Sequence, residues 1–294
     1  MTEDSEGFLG KLTNVKMLQS IFKAICLNDE SCFYIKKDGL KMTVEDAKTF
    51  QANAFIQSSM FNEFNIGEED DFGFNISLST LLECLSIFGS ANLANATSTN
   101  GIIGSTLSLA SAQTVLSGSA ITSLVLHYGK YGDPLSMWME EDGVVSKAEI
   151  PTQDVKETLF FDFSKPNVIA KVVMLSEHLK DLFAEFDMSS DTLEIGVDDD
   201  AKTVSFSTNG NAGEVTISLP EHSEIVHIFE CRRKSKAKYP MNLLKNALKA
   251  IVMSQKLSLR MDQQNILCMQ YMISYPEGNC FLEFYCAPEI ECEA

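Results

Sequence analysis

The sequence predicts an α+β fold made of two similar domains, each an antiparallel sheet with helices on one face. Three observations predict it. A helical apolar pattern recurs at a nearly constant offset, each recurrence is followed by strand-like runs around polar turns, and 294 residues suffice for two medium domains with their own cores. Hydrophobic residues at 45% and charged residues at 22% are usual for a folded globular chain, so disorder is not the expected state.

The first helix is expected in MLQSIFKAICL from Met17, and its counterpart is HLKDLFAEFDM from His178. At an offset of 161, Leu18, Ile21, Phe22, Ile25 and Leu27 meet Leu179, Leu182, Phe183, Phe186 and Met188. Apolar positions at i, i+3, i+4 and i+7 make one buried helical face. Two strand-like runs follow each helix, SCFYIKKDGLKMTVED in the first copy and DTLEIGVDDDAKTVSFST in the second. Asp-Gly in KKDGLK is a hairpin signal, because a positive φ costs those residues little. A second helix is expected in TLLECLSIF from Thr80 and in NLLKNALKAI from Asn242, at an offset of 162 drifting to 163. The chain therefore reads as four repeats of strand, helix and several strands, against the simpler reading of two unrelated α+β domains with similar helices. The expected divisions are a first domain over 1–145, a connector over 146–163 carrying Pro151, and a second domain over 164–294. Residues 84–129 hold no Asp, Glu, Lys or Arg, and their middle, about 90–119, reads as a low-complexity insert too rich in Ser, Thr, Asn and Gly to span a membrane.

Charge is segregated. The formal net charge is −18, yet nine basic residues and no acidic one lie between Arg232 and Arg260. A strongly negative chain repels phosphate backbones, so contact with nucleic acid would need cations confined to one surface. Lys245 and Lys249 are spaced i, i+4 and share a helix face, and the preceding RRKSKAK (Arg232, Arg233, Lys234, Lys236, Lys238) reads as a loop extending it. Lys16 and Lys23 are the cations of the first helix, and Lys180 is that of the third, balanced by Asp181 and Glu185.

Helices with one apolar stripe cover one face of antiparallel sheets and turn their polar stripe outward. Four such repeats side by side form an arc whose concave side is lined by helices and whose two edge strands need partners. Closure into a ring is the expected outcome. The duplicated organisation and the terminal FLEFYCAPEIE resemble the sliding clamps of the proliferating-cell-nuclear-antigen kind. NVKMLQSIFKAI, VEDAKTFQANAFIQSSMF, LLECLSIFG, EEDGVVSKAEIPTQ, STNGNAGEVTISLP and LSLRMDQQNILCMQYMI resemble, within those clamps, the Rad-one family of the heterotrimeric DNA-damage checkpoint clamp.

That resemblance implies the DNA clamp fold, a nuclear ring of this chain with two homologous subunits, an ATP-driven clamp loader, and checkpoint and repair proteins recruited to the ring. It implies a hole lined by Lys16, Lys23, Lys180, Arg232, Arg233, Lys234, Lys236, Lys238, Lys245 and Lys249, holding double-stranded DNA through phosphates without reading sequence. It also implies a partner-peptide pocket beneath the connector, near Ile150, Pro151, Ala287 and Pro288. The chain departs from the clamp pattern in its second helix, LLECLSIF, which offers no cation.

Other chemistry is weakly signalled. Acidic clusters at GEEDD near Asp70, at Glu140 to Asp142 and at Asp198 to Asp200 are the carboxylates a metal-dependent nuclease would need, but each falls at an expected hairpin turn. His222, His227 and Cys231 fit no familiar zinc spacing. No GxSxG elbow and no GxxxxGK[ST] loop occurs, so neither an α/β-hydrolase nucleophile nor a P-loop is expected, and no cofactor or enzyme activity is implied. Eight cysteines without a CxxC pair suit reduced thiols, and MTEDSEGFLGKL lacks the features of a signal peptide. A sheet-based adaptor without DNA contact remains the rival, with the basic run as an ordinary solvated face.

Overall fold

The computed structural model describes residues 7–67, 71–87, 122–211 and 213–289; the insert at 90–119 and Asp70 lie outside them. The first half contains β1 (Phe8–Leu12), α1 (Val15–Ala24), β2 (Glu30–Lys36), β3 (Gly39–Asp46), β4 (Phe50–Gln57), β5 (Glu63–Ile66), β6 (Asp71–Ser77), α2 (Leu78–Leu85), β7 (Ser123–Tyr128), β8 (Leu135–Glu141) and β9 (Val144–Ile150). The second contains β10 (Val168–Leu175), α3 (Ser176–Ala184), β11 (Thr192–Asp198), β12 (Thr203–Gly210), β13 (Gly213–Pro220), β14 (Val226–Cys231), β15 (Ser235–Pro240), α4 (Met241–Lys249), β16 (Lys256–Asp262), β17 (Leu267–Tyr275) and β18 (Gly278–Cys286). β9 runs on to Ile150, so the segment between the halves is 151–167.

The helices form where the apolar stripe and the caps agree. The Asn14 side chain accepts from Met17 N at 3.0 Å and starts α1, whose Leu18, Ile21 and Phe22 are buried. Ser77 caps α2 by accepting from Thr80 N. In the second half Leu179 and Phe183 bury the matching stripe of α3. Phe22 meets Phe33 of β2 edge to face at 5.9 Å, and Phe183 meets Phe206 of β12 at 5.5 Å, so each helix lies on the apolar face of a sheet.

Strand order carries the duplication. The sheets run β5-β1-β7-β8-β9, β13-β12-β11-β15, and β14-β10-β16-β17-β18-β4-β3-β2-β6. Adding nine to each strand of the first half turns 5-1-7-8-9 into 14-10-16-17-18 and 4-3-2-6 into 13-12-11-15. The nine-stranded sheet is a five-stranded sheet of the second half joined to a four-stranded sheet of the first through β18 and β4, from Cys280 opposite Ile56 to Cys286 opposite Phe50. Each half also repeats internally. The strand before one helix pairs with the strand after the other: β1 with β7 and β6 with β2, then β10 with β16 and β15 with β11.

Because β18 is joined to β4, their counterparts β9 and β13 end their sheets unpaired. Both are largely exposed, with Val144 and Val145 of β9 at 61% and 62%. Residues 232–238, expected as a loop, contain only a short bend before β15, an ordinary strand hydrogen-bonded to β11 from Ser235 to Pro240.

Candidate nucleic-acid interface

The four helices stand in one row across both halves. α1 packs against α2 on one side and meets α4 on the other, and a 3-10 turn over Ala250–Met253 connects α4 to α3. On α1 the exposed positions include Lys16, Ser20 and Lys23; on α4 they are Asn242, Lys245 and Lys249. The two lysine-bearing helices are therefore neighbours at the junction of the halves. α2 exposes Ser79 and Glu83, and α3 sets Lys180 against Glu177 and Asp181, so the outer helices of the row carry no excess of cations.

Among the described residues Lys16, Lys23, Lys180 and Lys245 form no ion pair, and Lys249 reaches only Asn246 Oδ1 at 3.5 Å. Their charge is available to an external anion, and the spacing of Lys245 and Lys249 puts both on one helix face.

The strand cations are placed differently. In β15 the residues alternate: Tyr239 is fully buried toward the core, in register with Leu193, so Lys236 and Lys238 project from the opposite face of the sheet. On that face Lys234 pairs with Asp198 and Lys236 with Glu194, both at 2.6 Å. The Lys234 ammonium, by its hydrogen bond, holds the Asp198 carboxyl below the usual carboxylate range. Arg232 Nη1 donates to the Lys165 carbonyl at 2.8 Å and Arg233 Nη2 to the Gln263 carbonyl at 3.1 Å. The Lys238 carbonyl accepts from Glu289 N at 2.8 Å. The ten residues expected in one lining thus divide between the helix row and the back of a sheet. The alternation Ser-Lys-Ala-Lys-Tyr was the sequence signal for this division.

Residues 151–167 cross the face of the nine-stranded sheet that looks away from the helices. Asn75 and Gln153 exchange backbone hydrogen bonds at 2.9 Å, Gln51 Nε2 donates to the Leu159 carbonyl at 2.9 Å, and Phe161 stacks on Tyr285 of β18 at 4.9 Å. The four residues expected around one partner pocket fall in two places. Ile150 is buried and Pro151 exposed beside Asn75 of β6. Ala287 N donates to the Thr49 carbonyl beside β4, and Pro288 follows it. β2 and β3 separate the two sites, and Phe161 with Phe163 already covers the Tyr285 ring next to Ala287.

Two members of the acidic clusters are paired locally. Asp71 pairs with Lys36 at 2.9 Å and Asp199 with Lys202 at 2.5 Å. Among the described residues no group of three His, Cys, Asp or Glu side chains is arranged to hold a metal ion. The described cysteines are free thiols, and burial pushes that of Cys268 up to about 12. Among the described residues no helix is long and apolar enough to cross a membrane.

A duplicated strand order, a row of four helices and a basic strip at its centre are the features to compare with known proteins. Residues 7–273 match the family model described as repair protein Rad1/Rec1/Rad17. The chain belongs to the Rad1 repair protein family. The human cell cycle checkpoint protein RAD1 is 38% identical to this Rad1-family chain over 290 residues, covering 98% of it and 94% of the human protein. The DNA damage checkpoint control protein rad1 of Schizosaccharomyces pombe is 25% identical over 96% of this chain and 86% of its own length. A DNA polymerase sliding clamp of Thermococcus fumicolans is 24% identical over 90% of this Rad1-family chain and 91% of its own length. The antiparallel sheets, few helices and duplicated strand order are those of the two-domain clamp fold.

Proposed function

We propose that this chain is a subunit of a ring-shaped DNA-damage checkpoint clamp, built with two homologous subunits into a heterotrimer around double-stranded DNA in the nucleus. A clamp loader places it there, and the closed ring serves as a platform for checkpoint and repair proteins. The observation that carries the reading is that, of the strands ending the three sheets, β9 and β13 are the counterparts of the two that join the halves. β18 and β4 join the halves within the chain, and their counterparts β9 and β13 are left open for the same junction between chains.

The internal junction also supplies a register. The β8–β9 and β17–β18 hairpins both close over two residues, so Ala148 corresponds to Leu282. Ala54 lies opposite Met42, and Ile217 opposite Phe206, at matching positions of their meanders. Leu282 faces Ala54. Ala148 therefore faces, across the ring contact, the position that Ile217 occupies in this chain. The Lys16, Lys23, Lys245 and Lys249 strip then meets phosphates without contacting base edges, which permits sliding.

Light scattering of the purified chain, alone and with candidate clamp homologues, tests the assembly. A monomer that trimerises only with two different partners is expected, and a stable self-trimer contradicts the heterotrimer. Salt-dependent retention on circular duplex DNA tests the function. Retention that ignores salt would favour an adaptor without DNA contact.

A further inference from the structure

The second half holds a positive cavity that the ring does not use. It has a volume of about 360 Å³ and lies on the sheet face opposite the helices, where the end of the connector passes β10, β14 and β16. Lys165, Lys171, Arg232 and Arg260 line it, against one lining carboxylate, Glu230, with the Phe163 ring as an apolar wall. Lys171 sits directly across from Arg260 on one side and Glu230 on the other, and neither Lys171 nor Lys165 forms an ion pair among the described residues.

Arg260 is the unusual member. Its side chain is 18% exposed; Nη2 lies 3.5 Å from Glu283 Oε1 and 3.3 Å from Cys268 Sγ, while Nε is buried with no hydrogen-bond partner among the described residues. Its guanidinium carbon lies 5.6 Å from the Phe163 ring centroid, within the range of a cation–π contact. A buried guanidinium donor without an acceptor is costly unless a ligand supplies one. Arg232 is oriented by its bond to the Lys165 carbonyl, which ties the connector to the rim. The unpaired edges β9 and β13 belong to other sheets, so ring closure leaves this cavity open.

We propose that this cavity binds a phosphorylated serine or threonine within an acidic segment of a partner protein. Two guanidinium and two ammonium groups around a concave site match a phosphate dianion, which accepts several charge-assisted hydrogen bonds at once. The apolar wall at Phe163 accommodates the neighbouring residue of the segment. A net charge of −18 repels acidic segments from most of the chain's surface, and this cavity is one of its positive sites, on the side away from the helix lysines.

Fluorescence anisotropy on the purified full chain tests this with a labelled decapeptide of Glu, Gly and Ser bearing one central phosphoserine, its unphosphorylated twin, and labelled duplex DNA. The phosphopeptide should bind with a Kd below about 1 mM and roughly tenfold tighter than its twin. Lys171→Glu and the variant Lys165→Glu, at an exposed residue, should each weaken it about tenfold with an unchanged melting temperature, while Lys245→Glu leaves it intact. Equal binding of the two peptides, or phosphopeptide affinity unaltered in both variants, overturns the proposal. So does a loss of duplex binding in Lys171→Glu equal to that in Lys245→Glu, which would assign the cavity to nucleic acid.

Discussion

A lysine's usefulness to an external anion depends on what already neutralises it. Among the described residues Lys245 and Lys249 have no carboxylate partner on α4, whereas Lys234 and Lys236 are held at 2.6 Å by Asp198 and Glu194. Replacing Lys245 and Lys249 by Gln should remove about two counterions from the salt dependence of duplex binding, read as the slope of log affinity against log salt. The same change at Lys234 and Lys236 should leave that slope unaltered. A second residue-scale expectation concerns Asp29, which accepts from Ser79 N at 2.8 Å and from Ser77 Oγ at 2.9 Å at the start of α2. The Ser79 hydrogen bonds hold its carboxyl below the usual range. Asp29→Ala should cost about 1 kcal/mol at neutral pH by urea titration, the usual value of a helix cap. Because the folded-state pKa lies below the unfolded one, this stabilisation is complete above about pH 4 and disappears as pH falls through the lowered value, so wild type and variant should converge in acid.

At the scale of elements, the two open edges govern assembly. β9 alternates exposed and half-buried residues up to the buried Ile150, and β13 does the same up to Leu219, so each offers one row of side chains and one row of free backbone groups. Ala148→Arg should abolish binding to one neighbouring subunit and Ile217→Arg to the other, with the monomer's melting temperature unchanged, as read by native mass spectrometry of the mixed subunits. Loss of both contacts in either variant would contradict separate edges. Much of this scale is legible in the sequence. The apolar stripes of Leu18, Ile21 and Phe22 and of Leu179 and Phe183 are read directly, because helical period depends on neighbours three and four residues away. β15 was read as part of a loop because five cations in the seven residues RRKSKAK outweighed its alternation. The strand forms all the same, since β11 supplies hydrogen bonds and acidic partners from forty residues upstream.

For the whole molecule, the decisive contact is β18 on β4, which makes one nine-stranded sheet of two halves. Phe284 is fully buried there, stacked on Phe50 of β4 at 6.1 Å and edge-on to Tyr271 at 5.9 Å. Phe284→Ala should cost about 3 to 5 kcal/mol, the range for removing a buried aromatic ring. Calorimetry should find one cooperative transition in the wild type and two in the variant, as the halves uncouple. The connector reinforces the same sheet from its other face, with Phe161 and Phe163 packed on Tyr285.

By itself the sequence determined the repeated helices, the hairpins between them and the segregation of positive charge, because these are set by periodicity and composition over short distances. The tertiary structure decided which cations line the helix row and which turn to the back of a sheet. It also decided that β18 joins β4 while β9 and β13 remain open. Those choices depend on strands that pair across more than two hundred residues, as β18 does with β4, and a one-residue shift of register would reverse every side chain's face.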